Sequence, residues 1–216
     1  MYIPSHFEES NEATLLQLIK AYPLASIVTF RKDEFDSNLI PLYPLKDKDG
    51  VIKLIGHVAR NNMFWKESQE NENVLAIFRG PDSYISPNWY PGKKINKNQV
   101  PTWNYQVINV HGILEIIDEP KYVRGVLARL VTKHESNSSK PWSISESDRN
   151  FMEEMIGNIV GIRISIKKMN GKFKLSQNRS DEDRVGVAIH LAEAGKHDLC
   201  KAMTLEELKR PVIIEH

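Results

Sequence analysis

The sequence has little cysteine, little net charge and no long apolar run. Cys200 is its single cysteine, so the chain forms no internal disulfide, which fits a reducing compartment. Lys and Arg number 29 and Asp and Glu number 28, so no net basic field exists that would hold DNA nonspecifically. No segment approaches the roughly 20 apolar residues of a membrane span, and no basic region precedes an apolar one at the N-terminus. We therefore expect a cytoplasmic protein that does not enter a membrane.

The motifs of familiar catalytic and metal sites are also missing. None of the seven histidines pairs with another at the i, i+4 helical spacing of a metal site, and one cysteine excludes a Cys-x-x-Cys motif. A zinc or iron site built from distant histidines stays open. The chain has no Gly-x-Ser-x-Gly motif, dinucleotide fingerprint or phosphate-binding P-loop. His57 and His111 are the acid–base candidates, and each is equally well explained as a strand histidine, so no catalytic residue is assigned.

Apolar periodicity predicts helices in three places and in the C-terminal tail. The first helical face precedes Pro23 and consists of Leu15, Leu18, Ile19 and Tyr22. The predicted helices cover residues 11–22, 121–134 and 146–156, the last after a capping-box pattern at Ser145–Asp148, and the tail includes the segments DEDRVGVAIHLAEAG and TLEELKRP.

Short β-branched runs predict about six strands. They cover residues 24–30, 51–58, 74–80, 102–117, 162–167 and 172–176. Asn170-Gly171 separates the last two by the two residues that a type I′ hairpin prefers. Gly112 stands in the long strand where a bulge or a close backbone approach would fit. Hairpin spacing without regular βαβ alternation predicts a mainly β fold, an antiparallel barrel with helices beside it.

Residues 84–105 combine two tryptophans and three tyrosines with several lysines. Proline and glycine interrupt this stretch, so we expect a loop between two strand segments, with the lysines at its solvated tip. Aromatic side chains on such a loop either pack in the core or line a pocket. Both interpretations stay open for Trp89 and Trp103.

The segment GHVARNN, residues 56–62, ends a predicted strand and leads towards a short helix. Free backbone N–H groups at such a corner, together with the Arg60 guanidinium, suit a phosphate group. The alternative is a capped turn in which Arg60 is solvated while Phe64 and Trp65 pack inward. The spacing of these residues leaves both possibilities open.

The chain contains, in this order, MYIPSHF, GHVARNN, VLAIFRGPDSYISPNWY, VPTWNYQVINVHG and KFKLSQNRSDEDRVGV. Together these segments resemble the PaiB-type family of FMN-binding negative transcriptional regulators, from Met1 to about Leu191. The resemblance implies an FMN-binding split β-barrel like that of pyridoxamine phosphate oxidases, usually a homodimer with FMN in the groove between subunits. It also implies negative control of protease synthesis and sporulation. On this basis residues 1–176 form the barrel with inserted helices, and residues 177–216 form a helical extension packed on it.

The resemblance assigns one group of residues to the cofactor phosphate. The strand end that resembles the phosphate site of split barrels carries His57, Arg60 and Asn61. An FMN phosphate carries about −1.5 to −2 charges at pH 7, so it needs a cation and several hydrogen-bond donors. Arg60 is therefore the expected anchor.

A second group follows from the VPTWNY segment, which the resemblance places along the flavin. Thr102 and Asn104 are its expected hydrogen-bond donors, and Trp103 or Tyr105 its expected wall. Strand alternation puts Thr102 and Asn104 on one face and the two aromatic residues on the other. One of the two pairs is therefore expected to be structural.

The late segment KLSQNR supplies the last group. The resemblance implies that Lys174, Gln177 and Arg179 reach the cofactor of the partner subunit. Residues 180–183 also fit the N-cap of a helix, so a structural role for the segment stays open.

The function itself also has alternatives. Besides a regulator, the protein could be a flavin-dependent oxidoreductase with an indirect regulatory effect, or a cofactor-free barrel acting as an interaction module. Direct DNA binding is not expected, because net charge is near zero and no helix-turn-helix is recognisable.

Overall fold

The computed structural model describes residues 1–69 and 71–208. Its strands are β1 (Glu8–Glu9), β2 (Leu24–Arg31), β3 (Glu34–Pro41), β4 (Tyr43–Lys46), β5 (Ile52–Ala59), β6 (Glu72–Ile85), β7 (Thr102–Ile117) and β8 (Ile159–Lys174). Its α-helices are α1 (Glu12–Ala21), α2 (Met63–Lys66), α3 (Pro120–Glu135), α4 (Arg149–Gly157), α5 (Asp181–Glu193) and α6 (His197–Leu208). Short 3-10 helices cover Ser5–Phe7, Pro87–Trp89, Pro91–Lys94 and Ile144–Glu146. Among the described helices, none has the length and apolar character needed to cross a bilayer.

Residue contacts divide the described chain into two units. The first unit holds residues 1–15, 79–108 and 170–208. The second unit holds residues 16–69, 71–78 and 109–169. The long strands β6, β7 and β8 contribute residues to each unit.

The second unit is built on an antiparallel sheet, whose strands follow the order β3-β2-β6-β7-β8-β5-β4. β2 pairs with β3 along its whole length, and β5 pairs with β4 and with β8. Alternate strand residues face opposite sides, so Ala25 and Ile27 of β2 are fully buried. Val126 and Leu130 of α3 pack with Ile55 of β5 in one apolar cluster. The mainly β fold with flanking helices is therefore as predicted.

The first unit joins the end of β8 to the two C-terminal helices. β1 pairs with β8, with Glu9 opposite Gly171. Arg184 of α5 is 2% exposed and donates a hydrogen bond to the carbonyl of Met203 in α6 at 3.4 Å. The apolar residues buried in this unit include Phe7, Ile85, Phe173, Leu175, Val187, Leu191 and Leu199.

Several predicted elements are confirmed. β7 has the predicted bounds of 102–117, and α1 and α3 match the first two predicted helices within a residue. Gly112 marks a close backbone approach, because a Cβ there would lie 2.5 Å from Ile164 Cγ2 and 2.7 Å from the Ser165 oxygen. Ser180 is the N-cap of α5 and accepts a hydrogen bond from the Asp183 N–H.

The predicted hairpin at Asn170-Gly171 is wrong. β8 continues through both residues, and the positive-φ glycines of the described chain are Gly50 and Gly195. Gly171 is needed for a different reason. A Cβ at this position would lie 2.4 Å from Leu15 Cδ2 and 2.8 Å from the Glu9 oxygen. The glycine therefore allows β1 and α1 to approach an extended strand, and the local Asn-Gly turn signal is overridden.

Three strands were missed, and one capping box was assigned to the wrong residues. β3 was missed because it exposes most of its side chains and shows little apolar alternation, and β1 and β4 are only two and four residues long. The capping box lies at Ser143 and Glu146, not at Ser145–Asp148, and Asp148 alone caps α4. The predicted helical tail reaches Leu208 in α6, and its remaining residues, 209–216, lie outside the described residues.

Replacing Gly171 by Ala tests the close approach. We expect Gly171→Ala to lower the free energy of unfolding by about 1–3 kcal/mol, because a methyl group must displace the backbone of Glu9. Chemical denaturation measures this change. Gly157→Ala is the control, since no atom lies within 4 Å of its added Cβ and it should be neutral or slightly stabilising. Equal losses in both variants would contradict the close packing at Gly171.

Candidate functional site

Three cations lie together at the end of β8 and in the turn after it, and we call Lys172, Lys174 and Arg179 the basic cluster. Lys172 donates a hydrogen bond to the Tyr2 carbonyl at 3.1 Å, and Arg179 donates one to Gln99 Oε1 at 2.7 Å. None of the three forms an ion pair with a carboxylate of the described residues. Their charges are therefore not neutralised by this part of the chain.

Aromatic rings lie beside every member of the basic cluster. Such rings attract cations and also offer flat apolar faces to a planar ligand. The cation-to-ring distances are 5.5 Å and 5.6 Å from Lys172 to Tyr2 and Tyr105, 5.8 Å from Lys174 to Phe7, and 4.7 Å from Arg179 to Tyr90.

The Lys174 ammonium is held in an unfavourable environment. Burial lowers its pKa below the ordinary lysine value, and the nearby charges of Lys172 and Arg179 lower it further. An anion bound here would offset both effects, because it attracts all three cations and favours the protonated form of Lys174. The arrangement is thus suited to a phosphate or another anionic group.

The Thr102–Asn104 segment runs beside the basic cluster. Lys174 donates hydrogen bonds to Thr102 Oγ1 and to the Trp103 carbonyl. Trp103 is 53% exposed, with its ring 6.2 Å from that of Tyr84 in an edge-to-face arrangement. Asn104 is fully buried and donates to Ser176 Oγ at 2.8 Å, so its amide is engaged within the protein. The predicted alternation of faces is confirmed along this segment.

The Gln177 side chain forms hydrogen bonds with the backbone of the residues just before it. Its side chain accepts a hydrogen bond from the Leu175 N–H at 2.7 Å and donates one to the Phe173 carbonyl. These bonds bracket Ser176, whose φ of 64° lies in the left-handed region. Gln177 therefore stabilises the turn that presents the basic cluster.

The corner after β5 carries the remaining candidates, which belong to the second unit. Arg60 donates to both carboxylate oxygens of Asp118, at 2.8 Å and 2.6 Å, and to the Gly157 carbonyl at 2.6 Å. These hydrogen bonds raise the pKa of Arg60 and lower that of Asp118. Asn61 is exposed in the turn, next to Asn62, which caps α2. The guanidinium is thus half-exposed but already paired.

The corner after β5 also shows features of the alternative prediction, a capped turn with Phe64 and Trp65 packed inward. Phe64 is buried, and the Trp65 indole donates to the Arg60 carbonyl at 2.9 Å. His57 lies on β5 opposite Gly161, and its buried Nδ1 has no hydrogen-bond partner among the described residues. Burial lowers the pKa of His57, so its imidazole is neutral near pH 7.

The structure brings some predicted residues together. Direct contacts join Lys174 to Thr102 and Trp103, whereas Arg60 contacts Asp118 instead of another candidate. Sequence reasoning missed Lys172 and Asp118. Lys172 carried a weak signal, since it alternates with the apolar residues at the end of β8, but nothing in the sequence links Arg60 to a carboxylate 58 positions away.

The residues present fit a flavin mononucleotide. That cofactor combines a doubly charged phosphate with a flat ring system, and it needs cations together with planar apolar faces. The basic cluster supplies the cations, and Trp103 supplies an exposed indole. Among the described residues, no group of three or more His, Cys, Asp or Glu side chains is placed to hold a metal ion.

Comparisons with known proteins give sequence relatives and several proteins of similar fold. The chain is 28% identical over 191 residues to the protease synthase and sporulation protein PAI 2 of Bacillus subtilis (strain 168), covering 88% of this chain and 89% of the relative. A FAD and heme binding protein from Mycobacterium smegmatis shares the fold with a TM-score of 0.59 at 15% identity, over 83% of this chain and 79% of that one. The flavocytochrome Anf3 from Azotobacter vinelandii does so with a TM-score of 0.58 at 13% identity, over 85% and 78%.

These fold matches confirm the predicted split-barrel class. The family model described as "Putative FMN-binding domain" matches residues 1–168, most of the sequence, and the relative from Bacillus subtilis confirms the resemblance on which the site residues were chosen. The chain therefore belongs to this FMN-binding domain family.

Proposed function

We propose that the protein binds FMN in a groove between two subunits and acts in the cytoplasm as a negative regulator of protease synthesis and sporulation. FMN binding is proposed mainly from the basic cluster, in which three cations have no carboxylate partner among residues 1–69 and 71–208 and lie among aromatic rings. Membership of the FMN-binding domain family supports the choice of flavin over other planar anions.

Two groups of residues are proposed to bind the cofactor. Arg60 is the proposed phosphate anchor, with His57 and Asn61 beside it at the end of β5, and Asp118 holds its guanidinium extended until the phosphate binds. The other group comprises Thr102, Trp103, Asn104, Lys174, Gln177 and Arg179, in which Trp103 faces the flavin ring, Asn104 and Gln177 support the strand and turn, and the cations bind flavin oxygens. In a dimer with FMN in grooves between the subunits, both chains contribute residues to each groove. The two groups of one chain can therefore contact different FMN molecules.

A homodimer is supported by the outward face of the β2–β3 hairpin. Directly paired residues of two strands lie on the same face, and Phe30 is paired with Phe35. Their rings lie 4.8 Å apart, and Phe35 and Leu39 are 78% and 67% exposed. β3 is also an end strand of the sheet order. An exposed apolar face on an edge strand is typical of a surface that another chain covers.

The regulatory role is proposed from the family resemblance and from the relative from Bacillus subtilis, whose name contains the words protease synthase and sporulation. A net charge of +1 argues against strong direct binding to DNA. We therefore propose that regulation depends on bound flavin and acts through another macromolecule or a metabolite.

Flavin retention tests the proposed function. After FMN addition and gel filtration, we expect visible absorption bands that correspond to about one flavin per chain. Lys174→Gln should weaken FMN binding at least about tenfold, because it removes a charge-assisted interaction. Lys168→Gln, which changes the charge equally at an exposed lysine of β8, is the matched control. A protein that stays colourless would contradict the proposal.

A second pair of variants in the same assay tests the phosphate anchor. Arg60→Gln should also weaken FMN binding about tenfold. Asp118→Asn removes the ion pair but keeps the guanidinium, so it should bind FMN as tightly as the parent protein or more tightly. If both variants lose FMN equally, the pair is structural and Arg60 is not the anchor.

Light scattering tests the dimer. We expect Phe35→Glu to shift the particle mass from two chains to one, because it places a charge on the apolar hairpin face. Ile95→Glu changes another exposed apolar residue, which is 91% exposed in the first unit, and should leave the mass unchanged. A dimer that persists in Phe35→Glu would contradict this interface.

A deletion strain of the natural host tests the regulatory role. Loss of the gene should raise secreted protease activity, and the parent gene should restore the original level. A gene carrying Lys174→Gln should fail to restore it if regulation requires flavin, while Lys168→Gln should succeed. Full restoration by a variant that retains no FMN would disprove a flavin-dependent mechanism.

A further inference from the structure

The first unit also contains a cavity of about 650 Å³ that none of the proposed flavin-binding residues lines. It opens between the loop that follows β6 and helix α5. Its volume lies within the range of about 300–1,000 Å³ that is typical of small-molecule sites. The residues around it are Asn88, Trp89, Tyr90, Pro91, Lys93, Lys94, Lys97, Gly186, Ile189 and His190.

The cavity walls are fixed by direct contact between the loop and α5. A Cβ at Gly186 would lie 2.4 Å from the Trp89 oxygen and 2.7 Å from Pro91 Cδ, so the loop rests on the helix backbone. The Gly92 N–H also donates to Asp183 Oδ1 at 2.9 Å. These contacts hold the aromatic and basic side chains of the loop in a defined position.

One side of the cavity is flat and apolar. The rings of Trp89 and His190 are stacked with their centroids 5.5 Å apart and their planes 13° from parallel. His190 Nδ1 lies 2.8 Å from the Gly186 carbonyl, so Nδ1 carries the proton and Nε2 remains for a ligand. Ile189, which is 52% exposed, extends the apolar surface. A planar ring is the ligand shape that such a wall accommodates.

The other side of the cavity is positively charged. Lys93 donates to Asn88 Oδ1, and among the described residues Lys94 and Lys97 form no ion pair. Within the described part of the chain, no carboxylate lines the cavity. Three ammonium groups on one short loop provide more charge than a single carboxylate needs, and they match a phosphate or diphosphate group.

We infer that this cavity binds a purine nucleoside phosphate, either a free nucleotide or the adenosine diphosphate part of a dinucleotide. The base packs against Trp89 and Ile189, and the phosphates contact Lys93, Lys94 and Lys97. This is a second ligand site, and it does not depend on FMN binding. None of the proposed flavin-binding residues lines it, although Tyr90 also lies against Arg179 of the basic cluster.

Calorimetric titration of the full-length protein, in the presence of excess FMN, tests the inference. ADP, NADPH and inorganic phosphate are the three probes, and ADP or NADPH should bind at one site per chain. Replacing Lys93, Lys94 and Lys97 together by Gln should weaken that binding at least about tenfold, with a smaller effect in high salt. The control replaces Lys121, Lys140 and Lys168, three exposed lysines that line no part of the cavity, and should bind as the parent does.

The same titration separates the two ligand sources. ADP binding as tight as NADPH binding indicates a free nucleotide, and NADPH binding that is much tighter indicates a dinucleotide. Three results would overturn the inference: equal nucleotide affinity in the two triple variants, inorganic phosphate binding as tightly as ADP, or nucleotide and FMN competing for one site. Lys93 is half-buried and bonded to Asn88, whereas Lys94 and Lys97 are exposed. Replacing Lys94 and Lys97 alone by Gln should therefore also weaken nucleotide binding, and this double variant keeps the test decisive if the triple variant fails to fold.

Discussion

Close backbone contact along β8 is the constraint on which much of this structure depends. In the second unit, Gly112 of β7 comes against the backbone of β8 at Ser165, and Gly161 of β8 comes within 2.9 Å, measured from its built Cβ, of the Ile117 oxygen. In the first unit, the absence of a side chain at Gly171 allows β1 to come equally close to β8. A side chain at any of these positions would push neighbouring backbone aside. Because none is present, β8 remains a continuous strand from Ile159 to Lys174.

The continuous strand decides where charge is placed. Strand alternation puts Phe173 and Leu175 in the interior and leaves Lys172 and Lys174 on the opposite side. The basic cluster thus follows from strand alternation at the end of β8, although the net charge of the whole sequence is only +1.

Sequence patterns were sufficient for elements whose residues carry their own signal. The β-branched run of β7 and the apolar faces of α1 and α3 are local, and tertiary contacts did not override them. The turn signal of the Asn170-Gly171 pair is also local, but the close approach of β1 and α1 determines the backbone conformation of this pair as extended strand. The mostly exposed β3 offered no apolar alternation to detect. Pairings between distant residues, such as Arg60 with Asp118, depend on the fold and leave no trace in sequence spacing.

The contact at Gly186 has a consequence for variation in sequence. At position 186, helix α5 has no side chain that could absorb a change, because a Cβ there would lie 2.4 Å from the Trp89 carbonyl oxygen and 2.7 Å from Pro91 Cδ. Any residue larger than glycine at position 186 would require the loop to move away from the helix. A substitution at position 186 therefore also changes the shape of the cavity between the loop and the helix.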